Sequence, residues 1–156
     1  MRVHLLAVGR LRAGPERDLV DDYKTRFDRT GRPLGLGPLT EVEVEDKKSL
    51  GLAAESDLLA RAIPAGALLV VLDERGALLT SPEFAAQLGR WRDAGRQDLA
   101  LVIGGADGID PALRGKADLA LSFGKMVWPH LLVRVMLTEQ LYRAATILGG
   151  GPYHRV

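Results

Sequence analysis

The chain has 156 residues, 47% of them hydrophobic, a formal net charge of +1 and no cysteine. Such a length fits one domain around a single core, and the apolar content can fill that core, which excludes a disordered chain. Disulfides and thiolate metal sites are excluded, and the three histidines show neither HExxH nor any other clustered spacing, so no metal is expected.

Val3–Val8 is the first predicted strand. Its apolar run falls far short of the roughly 20 residues of a membrane span and has no small-residue cleavage site, so no membrane partner is expected and the expected address is the cytoplasm. Pro15–Arg29 has helical spacing with its charges on one side, and the Gly/Pro-rich stretch Gly31–Pro38 reads as a loop. Thr40–Glu45 alternates Val with Glu, the period of a half-exposed strand near a sheet edge. Ser49–Ile63 reads as a helix ended by Pro64 and Gly66, and Ala67–Leu72 as a buried strand. Ser81 before Pro82 predicts an N-cap and a first helical position, with the helix running to Asp93. Asp98–Ile103 is the next strand, Asp110-Pro111 opens a short helix, Asp118–Ser122 is the fifth strand, and Pro129 to Leu148 is the last helix. Strands separated by helices predict a mostly parallel sheet covered on both faces.

Charge is uneven along this pattern. Residues 1–32 carry eight Lys/Arg against five Asp/Glu, residues 33–122 nine against fourteen, and residues 123–156 four against one. A basic C-terminal end can hold a phosphate backbone, or can be an ordinary solvated surface.

The segments that carry chemistry cluster in the last third. Gly104-Gly105-Ala106-Asp107-Gly108 follows a strand and precedes a capped helix, so its backbone can approach a ligand or simply make a tight turn. It is not the GxGxxG of a dinucleotide fold. Phe123–His130 has neither helical nor strand period yet is rich in bulky apolar groups; it lines a pocket or packs on the core. The last helix is apolar over most of its circumference, which predicts burial by its own sheet and by a second subunit. Glu139 and Arg143 are spaced as an exposed i,i+4 pair, while Arg143 beside Tyr153-His154-Arg155 also offers phosphate donors and a flat surface for a base. His4 reads as an ordinary histidine of the first strand.

The order Leu6-Ala7-Val8-Gly9, Leu72-Asp73 with Gly76, Ile103-Gly104-Gly105 with Gly108, Leu121-Ser122-Phe123 through Met126, Pro129-His130, Arg134-Val135, Glu139–Ala144 and Tyr153-His154-Arg155 spans the chain. In it the sequence resembles the RlmH family of SPOUT-superfamily 23S ribosomal RNA methyltransferases. The resemblance implies a single domain over residues 1–156: a five- to six-stranded, mostly parallel sheet, helices on both faces and a C-terminal trefoil knot. It implies S-adenosylmethionine held by Leu72, Gly104, Phe123, Gly124, Lys125, Met126, Val127 and Trp128. It also implies a homodimer with a shared site that methylates N3 of a pseudouridine in 23S rRNA on the assembled ribosome. Arg143, Tyr153, His154 and Arg155 match the family's substrate side. His130 belongs to the motif and reads as shaping the loop. Gly124, Val127 and Leu131 depart from the Ser, Thr and Gln common in relatives, so loop amides are expected to do the polar work there.

On that reading His154 is the candidate base for the N3 proton, Arg143 or Arg155 stabilises the imide anion, and Tyr153 stacks on the base. Two rivals differ in class. A non-catalytic RNA-binding module predicts no S-adenosylmethionine binding. A small nucleotide hydrolase needs a P-loop or carboxylate cluster, and neither is present; Asp107 and Asp110 read as turn and cap.

Overall fold

Every residue of Asp98–Ile103 is buried, as a strand covered on both faces requires, and this strand is the centre of the sheet. The computed structural model describes residues 1–155. In chain order it comprises β1 (Arg2–Val8), α1 (Pro15–Gly31), β2 (Leu39–Val44), α2 (Leu52–Ala62), β3 (Leu68–Leu78), α3 (Ser81–Asp93), β4 (Asp98–Ile103), α4 (Pro111–Arg114), β5 (Leu119–Ser122) and α5 (His130–Leu148). The five strands are all parallel in the order β2-β1-β4-β3-β5, so the Val/Glu alternation of β2 does mark an edge.

Alternate residues supply two cores. Val3, Leu5, Leu99, Leu101 and Ile103 pack with Phe27 of α1, Phe84 and Leu88 of α3, and Leu137 and Leu141 of α5. Leu6, Val71, Ala100 and Val102 pack on the other face with Leu59 of α2 and Leu113 of α4. Each fully buried Leu, Ile or Phe contributes roughly 1.5–3 kcal/mol of transfer free energy.

Four local expectations change. The α2 helix begins at Leu52, not Ser49, because Ser49 (φ 51°) and Gly51 (φ 94°) have left-handed backbone that a helix cannot use. The cap of α3 is Thr80, not Ser81: Thr80 Oγ1 accepts from Glu83 N–H at 3.3 Å, and the Glu83 carboxylate accepts from Thr80 N–H at 2.7 Å. Ser81 instead donates to Gln140 Oε1 at 2.7 Å. The Gly31–Pro38 stretch contains one 3-10 turn, Arg32–Leu34.

The fourth change shapes the site. β3 runs on past Leu72 to Leu78, but residues 73–76 leave the ladder and pairing resumes at Ala77 opposite Leu121. Gly76 must lack a side chain here, because a Cβ would stand 2.6 Å from the Ala120 carbonyl carbon and oxygen.

Candidate functional site: a cleft and a tail on one helix

The C-terminal ends of β3, β4 and β5 open into a cleft of about 820 Å³, within the roughly 300–1,000 Å³ typical of ligand pockets. Its walls are the 73–76 excursion, the Gly104–Ile109 turn and the loop from Phe123 to His130. All the expected cofactor residues lie here except Lys125, which is exposed on the same loop. His4 is excluded: it sits near the start of β1, where Nε2 meets Asp98 Oδ1 at 2.8 Å.

The β4 turn is built from glycine by necessity. A Cβ on Gly104 would stand 2.2 Å from the Gly108 carbonyl oxygen and 2.5 Å from its carbonyl carbon. The turn closes with Gly108 N–H donating to the Gly105 carbonyl at 3.0 Å, and Gly108 has φ 80°. Beneath it lies Glu55 of α2, whose carboxyl burial pushes above the usual carboxylate range, reinforced by Asp107 and Asp46. Across the cleft Asp73 is held below the ordinary range, first by its bond to Arg75 and also by Arg114 at 2.9 Å.

The β5 loop is pinned at its start and free at its tip. Ser122 Oγ accepts from Gly124 N–H at 3.1 Å and lies within donating distance of the Gly124 carbonyl at 2.9 Å and the Glu74 carbonyl at 3.1 Å. The tip is apolar yet exposed, Met126 at 73%, Val127 at 81% and Trp128 at 41%. Within the described residues no hydrogen bond occupies the N–H groups of Lys125, Met126, Val127 and Trp128. A pocket with apolar walls and unspent backbone donors suits an aromatic ring with polar edges.

The expected substrate residues form a second cluster at the far end of α5. Tyr153 does not fray: its hydroxyl donates to Glu139 Oε1 at 2.9 Å, its ring centroid lies 4.6 Å from that of Tyr142, and the Arg143 guanidinium carbon is 4.7 Å from the ring centre. Burial, with the bond to Glu139, pushes its phenol up, so it remains a neutral donor. Arg143 donates from Nε at 3.1 Å and Nη2 at 2.7 Å to Glu139 Oε1. Its Nη1 lies 3.3 Å from His154 Nδ1. Glu139 Oε2 accepts from Gln140 Nε2 at 2.8 Å. Arg155 is exposed. The exposed i,i+4 pair of the sequence is therefore a half-buried hub, and Glu139 is a functional candidate that spacing alone misses. The Tyr153 ring packs on Tyr142 and under the Arg143 guanidinium.

One helix carries both ends. His130 lines the cleft, and Arg143 follows thirteen residues later on α5. At about 1.5 Å per residue that is about 20 Å, and about 220° round the axis. The N-terminal part of α5 is fixed by a buried charge. Arg134, 0% exposed, donates to Glu41 at 3.0 Å, Glu43 at 2.7 Å and the Gly9 carbonyl at 3.1 Å, while Arg17 shares Glu41 at 2.7 Å. The broad apolar girth of α5 is covered largely by α1 and α3 of its own chain.

Comparison with known proteins agrees with this architecture. The family model described as "Predicted SPOUT methyltransferase" matches residues 1–154. The chain is 72% identical over 156 residues, all of both chains, to a protein of Ruegeria pomeroyi named ribosomal RNA large subunit methyltransferase H. It is 71% identical over 155 residues, 99% of both chains, to the protein of that name in Roseobacter denitrificans. A solved structure, a probable methylase family protein from Haemophilus influenzae, is 14% identical and superposes with a TM-score of 0.51, covering 99% of this chain and 70% of that one; it bears on the fold alone. The chain belongs to the SPOUT methyltransferase family.

Proposed function

We propose that this protein transfers a methyl group from S-adenosylmethionine to N3 of a pseudouridine in large-subunit ribosomal RNA. It acts in the cytoplasm, on the assembled ribosome, as a homodimer. One observation carries this reading: the mouth of the cleft lies at the N-terminal end of α5 and the Arg143–Tyr153–His154 cluster at its C-terminal end. Transfer needs reacting atoms about 3–3.5 Å apart, and His130 at the cleft and Arg143 in the cluster are about 20 Å apart along α5. A second copy brings its tail to the first copy's cleft. Apolar residues exposed beside both ends, Leu19, Leu78, Met126, Val127 and Leu132, are the surface such a partner covers.

The residues present fit the cofactor. Leu72, Gly104 and Phe123–Trp128 would hold it, with the tight Gly104 turn leaving backbone, not side chain, at the wall. The family implies a trefoil knot; here β5 packs closely against Gly76, and Ser122 Oγ lies near the Glu74 carbonyl. When bound, S-adenosylmethionine supplies a methyl group already activated on sulfonium. The protein's own work is alignment. Glu139 and Tyr153 set the direction of Arg143, which with Arg155 holds the RNA. Trp128, Met126 and Val127 offer apolar surface at the cleft mouth.

The test is mass mapping of large-subunit rRNA from cells with and without the gene. A methylated pseudouridine that vanishes with the gene and returns with the wild type is expected. An unchanged modification pattern overturns the proposal.

A further inference from the structure

The pairing of Arg143 with His154 determines what His154 can do. A guanidinium has five N–H donors and no acceptor. Its Nη1 lies 3.3 Å from His154 Nδ1, so Nδ1 must be the acceptor and the imidazole proton must sit on Nε2. Arg143 cannot turn away, because Glu139 Oε1 takes both its Nε and its Nη2. Glu139 is in turn held by the Tyr153 hydroxyl and by Gln140, whose own oxygen is taken by Ser81. Each donor in this chain from Ser81 to His154 has one direction. The remaining charged and titratable neighbours are Arg155 on the tail, Tyr142 on α5, and Tyr23 and Arg26 on α1; Arg26 is paired with Asp22 at 2.9 Å, and the tyrosine rings pack on one another. A doubly protonated ring would aim Nδ1–H at an Arg143 N–H and could not keep this contact.

Resting on the function proposed above, we propose that His154 is a hydrogen-bond donor through Nε2–H to an imide carbonyl oxygen of the target base, and not the base that removes the N3 proton. A general base needs a free lone pair, and the only one on the neutral ring is committed to Arg143. The N3 proton leaves to solvent water or hydroxide. The electron pair left on N3 is delocalised onto the flanking carbonyl oxygens, and Nε2–H stabilises the charge there. That pair forms the N–CH₃ bond as the S–CH₃ bond breaks with its electrons remaining on sulfur. Arg143 thus acts on the reaction through the tautomer it imposes.

Two measurements on the full-length protein test this. The first is the ¹⁵N spectrum of the histidine-labelled protein, with H154Q used to assign the His154 signals among three histidines. An unprotonated Nδ1 and a protonated Nε2 are expected at neutral pH; a protonated Nδ1 overturns the inference. The second is methyl transfer to ribosomes by H154A and H154Q. Glutamine places an amide N–H near the Nε2 position and cannot take up a proton. H154A should lose about 10²–10³-fold in kcat, as removal of one oxyanion donor does, and H154Q should recover most of it. The pH–rate profiles of wild type and H154Q should run parallel. H154Q as slow as H154A, or a wild-type inflection near pH ~6.5 that H154Q abolishes, restores the base and overturns the donor. A wild type that methylates no rRNA overturns the proposed function and with it the donor's target, while the spectrum decides the tautomer separately.

Discussion

Gly104→Ala is the sharpest perturbation of the cleft. The added methyl would lie 2.2 Å from the Gly108 carbonyl oxygen, 2.5 Å from its carbon and 2.9 Å from an Ile109 side-chain carbon. Relief requires the turn to open by about 1 Å, and the obstacle is backbone, which cannot swing aside as a side chain can. Overpacking of this kind costs about 1–3 kcal/mol, and the upper half of that range is expected here. For a chain of this size each kcal/mol lowers Tm by about 2–4 °C, so a fall of about 4–12 °C follows. A displacement of about 1 Å at a binding wall is worth up to about 10²-fold, so Kd for S-adenosylmethionine should weaken by roughly that factor. Gly108→Ala is the internal control: nothing lies within 4 Å of its Cβ, and only the φ of 80° resists. Its cost is about 1 kcal/mol, with little change in Kd. Calorimetric titration with the cofactor and thermal melting of both variants read these effects. If Gly104→Ala melts and binds like Gly108→Ala, the steric argument for this wall is wrong.

Three further outcomes follow from the ion pairs. Arg134→Met leaves Glu41 with Arg17 and Glu43 with the Leu11 amide, so the loss falls at the low end of the about 3–5 kcal/mol for breaking a buried pair; melting should drop by about 6–12 °C, and a drop under 3 °C would show the network is not a lock. Glu139→Gln removes the charge that orients Arg143 and Tyr153, so methyl transfer should fall about tenfold or more while calorimetry finds cofactor affinity unchanged; equal loss of both would place Glu139 in the cleft. Asp98 is depressed to about 2 by its bonds to Arg2 and then His4. Because the folded value lies below the unfolded one of about 3.9, its stabilisation is complete above that value and is lost as pH falls toward 2. In Asp98→Asn this part of the acid limb of Tm against pH should flatten; a limb that keeps its shape removes Asp98 from the account.

Much of the fold could be read locally. Proline at the first turn of α1, α3 and α4 marked three helix starts, and Val/Glu alternation marked β2. The Thr80–Glu83 spacing of a capping box was also present, but Ser81 before Pro82 drew the cap one residue too far. What stayed hidden depends on distance in sequence. Arg134 sits among valines, and nothing in its neighbourhood announces acceptors more than 90 residues earlier. The 73–76 excursion follows a strand that truly continues, so the Asp-Glu-Arg-Gly run looks like an ending. The tail is preceded by Gly149-Gly150-Gly151 and has the composition of a frayed end; only the fold brings Tyr153 onto Tyr142 and Glu139. That Phe123–His130 lines a cleft was legible because apolar bulk without period is costly to leave in water.

The proposed arrangement is a homodimer in which one protomer's tail completes the other's cleft. It is tested by mixing two inactive proteins, one with Gly104→Trp to block the cleft and one with Arg143→Ala to break the tail. After subunit exchange about half the dimers are mixed, each with one whole site, so activity should return to about a quarter of wild type. If the exchanged mixture, shown to contain mixed dimers, stays as inactive as either parent, the site is not shared between protomers.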